Sequence, residues 1–131
     1  DVDLYYKPHP REDKIHFELS GFEVLNEPMT SEMLFARDRS LIKAAYSVAS
    51  SSSATAALMG VKSYALYKLY NYPDVLSKRA QRRYEFSDVK TLNTIKELGD
   101  SATEDSTFRE YDQNDIDRLK AVFENIIVSI T

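Results

Sequence analysis

The sequence predicts a mostly α-helical single domain, with four or five helices arranged around a central helix at 54–72 and one or two short β-strands near the N-terminus. Three observations lead there. Leu58, Val61, Ala65, Leu69 and Tyr72 recur at spacings of three and four, which places them on one helix face. Near the C-terminus Ile116, Leu119, Phe123, Ile126, Ile127 and Ile130 form a second such stripe. Strand periodicity is confined to Lys14–Ser20, where Ile15, Phe17 and Leu19 alternate with polar residues as in a half-buried strand.

Taken in order, residues 1–13 form an extended arm, because Pro8 and Pro10 push their predecessors out of the helical region. Residues 14–25 form the strand region, with Gly21 allowing a turn before a second strand at Phe22–Leu25. The helical body spans 31–131. Thr30 and Ser31, followed by Glu32, are a helix-start signal, a hydroxyl cap ahead of a carboxylate in the first turn. That helix extends to Ala49 on a core face of Leu34, Leu41, Ile42, Ala45 and Val48, interrupted by Arg37, Asp38 and Arg39.

Ser50–Ser53 then breaks the chain, because serine competes for backbone hydrogen bonds and favours caps; Ser53 is the expected N-cap of the central helix. Pro73 stops that helix and starts another, with Val75, Leu76, Ala80 and Tyr84 facing inward. Ser87 and Asp88 open a further helix, with Val89, Leu92, Ile95 and Leu98 inward and Gly99 as its C-terminal stop. An acidic loop at 100–112 leads to the last helix, capped by Asp112 or Asn114.

At 131 residues, 43% of them hydrophobic, the chain suits one domain able to bury a core without staples. It has no cysteine, which excludes disulfides and thiolate metal sites and fits an intracellular, cytoplasmic protein. The polar opening DVDLYYKPHP is no signal peptide, and without an initiator Met the chain reads as a processed product or an excised piece. The uncharged run Ala44–Val61 is long enough to span a bilayer, but its serines, threonine and alanines are too weakly apolar, so no membrane span is expected.

Charge is laid out in blocks: −4 over residues 1–30, +5 over 31–98 and −5 over 99–131. Such a chain can fold its ends on its middle or pair head to tail with copies of itself. It lacks the overall basic balance of a dedicated nucleic-acid binder.

No catalytic constellation is visible. With Gly21, Gly60 and Gly99 as its only glycines, the chain has no phosphate-cradling glycine loop. His9 and His16 lack metal-ligand spacing, and Asp112 to Glu124 lacks the glycine and third ligand of a calcium loop. No cofactor is expected.

The predicted function is a non-catalytic protein–protein interaction or assembly module, self-associating into a homo-oligomer or docking within a larger complex. Its candidate interface is Tyr64, Tyr67 and Tyr70, which a helix at 54–72 would place opposite the apolar stripe; tyrosine gives large contact area with a polar tip. The alternative is a nucleic-acid-binding protein using the basic face Lys78–Arg83, where Lys78, Arg79, Arg82 and Arg83 share one side of a helix. The same four cations would also grip an acidic protein partner.

Overall fold

The computed structural model describes residues 3–9, 11–12 and 21–104. The strand expected at Lys14–Ser20, the loop beyond residue 104 and the final helix with its isoleucine stripe lie outside the described residues.

Within them the fold is an α/β mixture, which overturns the helical bundle. The order is β1 (Leu4–Tyr6), β2 (Phe22–Val24), α1 (Ser31–Asp38), β3 (Ala44–Ser47), α2 (Ser51–Leu58), β4 (Lys62–Ala65), a 3-10 turn (Tyr67–Leu69), α3 (Asp74–Tyr84), β5 (Lys90–Thr91) and α4 (Ile95–Thr103). β1 pairs with β2, and β3, β4 and β5 form a second sheet in that order; every pairing is parallel. Parallel neighbours need a crossover, and α2 and α3 supply the two crossovers of the second sheet.

The expected central helix at 54–72 is therefore three pieces. α2 ends at Leu58, and Gly60 adopts φ +83°, a left-handed conformation that turns the chain before β4. Three of the four residues of β4 are buried, so its sequence lacks the alternation of a half-exposed strand and passes for one face of a helix. The expected helix at 31–49 also divides. The charged triplet Arg37, Asp38 and Arg39 closes α1, with Arg39 as its C-cap, and Ala44–Ser47 leaves as β3. Thr30 caps α1 as expected, its hydroxyl accepting from the Met33 N–H.

Alternation along the strands separates two faces of the sheet. On one, Tyr46 lies in register with Tyr64, and their rings stack with centroids 5.0 Å apart. α4 covers this face: the Tyr46 hydroxyl lies 3.0 Å from Ser101 Oγ, and Tyr64 donates to Glu104 across 3.1 Å. On the other, Ala65 packs with Tyr67, Ala80 and Tyr84. Ser47 bonds Ser53 of α2 on that same side. The result is three layers, with α2 and α3 on one face and α4 on the other. Small residues make the contact close, since Ala56, Ala65 and Ala80 are fully or almost fully buried.

The remaining differences follow from the same layering. α3 begins after Pro73 and buries Ala80 and Tyr84 as expected, but Val75 and Leu76 are exposed. The helix expected from Ser87 is instead β5 followed by α4. Leu92 reaches the core from the loop between them, Ile95 faces solvent, and Thr94 is the N-cap. Gly99 lies inside α4 rather than at its end.

The two glycines give a paired prediction for denaturant unfolding. Gly60→Ala places a β-carbon on a left-handed residue and should cost about 1–2 kcal/mol. A Cβ at Gly99 meets nothing within 4 Å, so Gly99→Ala should stabilise α4 by about 0.5–1 kcal/mol. Under the expected central helix Gly60→Ala would stabilise instead.

Candidate functional site

The loops that leave the carboxyl ends of β3, β4 and β5 lie along one edge of the sheet, and the β3–α2 connection at 48–50 leads directly into the serine run Ser50–Ser53. Ser50, not Ser53, is the N-cap of α2, with extended backbone and a hydroxyl that accepts from the Ser52 N–H at 3.2 Å. Its Oγ also lies 2.7 Å from Ser52 Oγ. Ser47, the last residue of β3, accepts from the Ser50 N–H at 3.3 Å and bonds the buried Ser53 hydroxyl. The serines therefore form two hydroxyl pairs over the first turn of α2, Ser50 with Ser52 and Ser47 with Ser53, while Ser51 is exposed. Serine suits this geometry, because the Ser47 and Ser50 side chains are short enough to accept from backbone N–H groups close by.

α3 reinforces the loop from below. The buried Tyr84 donates to the Ser50 carbonyl at 2.7 Å, and burial raises its pKa above the usual phenol range. Next to it, the Arg83 guanidinium donates to the Ala49 carbonyl. Arg83 makes no ion pair with a carboxylate among the described residues. The first turn of α2 contains no acidic residue. A guanidinium thus stands beside the positive end of a helix dipole, an arrangement that favours a negative charge between them.

The sequence-predicted residues are dispersed. Tyr64 lies in β4 and Tyr67 in the 3-10 turn, 3% and 2% exposed, so neither offers a surface to a partner. Tyr67 packs against the Tyr84 ring, with centroids 6.5 Å apart. Tyr70 is separate from them, 58% exposed in the loop after the 3-10 turn. Lys78, Arg79 and Arg82 are exposed on α3, and Lys78 and Arg82 line an open groove with Gln81 and Glu85. Arg83 leaves that set for the serine loop.

Among the described residues no group of His, Asp and Glu could hold a metal ion. His9 belongs to the segment after β1, where its ring nitrogen accepts from the Arg11 N–H; His16 lies outside the described residues. No described helix is long and apolar enough to cross a membrane.

The serine run reads in sequence as a break with Ser53 as N-cap, because nothing indicates a strand before it; the structure moves the cap to Ser50. Its available signal was a cap-forming cluster followed by small residues and then glycine, Ser50 to Gly60, which marks a short complete helix between two other elements. The chain matches no protein-family model, and comparison with curated proteins and with solved structures finds no match.

Burial and the Glu104 carboxylate raise the Tyr64 pKa to about 12. A phenol whose pKa is raised on folding contributes stability that is complete below its unfolded value, near 10, and lost as pH climbs through the folded value. Unfolding free energy should therefore fall between pH 10 and pH 12, and Tyr64→Phe should flatten that part of the profile. An unchanged slope in the variant would place the titration elsewhere.

Proposed function

We propose that this chain binds an anionic, phosphate-bearing small molecule at the carboxyl edge of the β3–β4–β5 sheet, over the loop at 48–53. The observation that carries the reading is the Arg83 guanidinium held on the Ala49 carbonyl beside the acid-free first turn of α2. Both features favour negative charge, and an arginine fork matches the oxygens of a phosphate. Two general facts support the placement. Ligands of open parallel sheets sit beyond the carboxyl ends of the strands. A hydroxyl at a helix N-terminus, here that of the exposed Ser51, adds a neutral hydrogen bond to an anion already favoured by the helix dipole.

A thermal-shift titration tests this reading. Inorganic pyrophosphate should raise Tm by stabilising the folded state through linkage. Arg83→Ala should weaken the apparent affinity by about tenfold, the loss of roughly 1.4 kcal/mol expected of one charge-assisted contact. No rise in Tm, or an equal rise in the variant, contradicts the proposal.

Protein–protein contact is the second reading, favoured by Leu41, Leu58 and Tyr70, which are 80%, 61% and 58% exposed. Side chains of this kind suit an assembly module, and among the described residues β3 leaves one strand edge without a neighbour in its sheet. Light scattering decides self-association. A mass at a multiple of 15.0 kDa supports it, and a monomer mass at high concentration removes it.

A further inference from the structure

The two faces of the β3–β4–β5 sheet are unequally covered. α2 and α3 lie on one, and among the described residues α4 alone covers the other. Packed helices stand about 8–10 Å apart and paired strands about 4.8 Å apart, so one helix covers about two strands and a three-stranded face needs a second. The strand left over is β3. Tyr46 faces the α4 side yet is 39% exposed, and Val48, opposite in alternation to the core-packed Ala49, is 38% exposed. α4 turns an apolar side to the same gap. Ser101 reaches Tyr46 of β3, while Glu104, about 60° round the helix, reaches Tyr64 of β4 and Lys90 of β5. In the other sense from Ser101 come Leu98, Ala102 and Ile95, about 60–120° round and so over β3. Leu98 is half-buried and Ile95 is exposed. These side chains line an apolar trough with β3 as its floor and α4 as its wall.

We propose that this trough is the docking site of the chain's own segment 112–131, whose apolar stripe from Ile116 to Ile130 lies against β3 as a second helix beside α4. Three observations select this occupant. α4 starts past the carboxyl end of β5 and ends with Glu104 bonded to Tyr64, so the chain leaves the described residues on the trough's own face. Residues 105–111 form a link of the length that joins antiparallel helical neighbours. A helix antiparallel to α4 runs with β3 from its amino end. That direction brings Asp112, Asp115 and Asp117 towards the exposed Lys43 just before β3, and the isoleucines over Tyr46 and Val48. A second copy offers the same stripe, but so short a link gives the chain's own stripe an effective concentration on the order of millimolar. So docked, residues 127–131 stand beside Val48, at the edge of the sheet where the serine loop lies.

Photo-cross-linking in the full chain tests this. p-Benzoylphenylalanine in place of Phe123, or of Ile126 nearly one turn on, puts the reactive group on the stripe; in place of Asn125 it puts the same group on the opposite side of that helix. Circular dichroism checks that each protein remains folded, and peptide mapping by mass spectrometry reads the cross-linked partner. Irradiation of the stripe positions should give products to residues 46–48 or 95–102 within one chain, at the monomer mass of 15.0 kDa. The Asn125 position should lose those products. A product of dimer mass would assign the trough to a second copy and overturn the proposal. So would products elsewhere in the chain, none from either stripe position, or an equal yield from Asn125.

Discussion

The burial of β4 between two helical layers is the constraint on which the rest depends. A strand covered on both faces must satisfy its backbone groups laterally, and β4 does so by pairing with β3 on one side and β5 on the other. Parallel pairing in turn requires α2 and α3 as crossovers, and covering the Tyr46–Tyr64 face requires α4. The side chains allow it: Ala65 and Ala80 let α3 approach the sheet, and the tyrosines fill the remaining space while their hydroxyls reach partners. A core built on alanine and tyrosine has few aliphatic contacts to spare, so its polar bonds to Ser50, Ser101 and Glu104 fix how the helices sit.

The serine loop inherits its form from that arrangement. β3 delivers Ser47 at the carboxyl edge, the crossover begins with Ser50 as cap, and Tyr84 and Arg83 reach the loop because α3 returns beneath it. Scaffold and site therefore share residues. Tyr84 belongs to the core and also holds the Ser50 carbonyl, while Arg83, one position before it, is left at the surface with its charge directed to the loop.

Two helix starts were legible in the sequence and strands largely were not. Thr30 before α1 and Pro73 before α3 are local signals with local causes, and each marks a real boundary, whereas Arg37–Arg39, expected only to interrupt a helix running to Ala49, is where α1 ends. β3 and β4 read AAYS and KSYA, without one β-branched residue, so strand propensity was silent where the sheet forms. Leu58, Val61 and Ala65 mimic a helical stripe although Gly60 divides them, because a short buried strand and a helix face are indistinguishable by spacing alone. That error carried into the site. Tyr64 and Tyr67 stood on an outer face only while the central helix stood, and in the sheet they are interior. Lys78, Arg79 and Arg82 were legible as a basic surface, since helical spacing was correct there. The departure of Arg83 was not, because only the fold brings α3 under the β3–α2 loop.

The central claim is that the loop over α2 is where an anion binds, and residue-resolved NMR during titration with inorganic pyrophosphate tests it most directly. Binding there moves the backbone amide signals of Ser51, Ser52 and Ser53 together with the Arg83 side-chain N–H, on one common saturation curve. Shifts confined to the region of Lys78, Arg79 and Arg82, or no saturable shift at the serines, would contradict it.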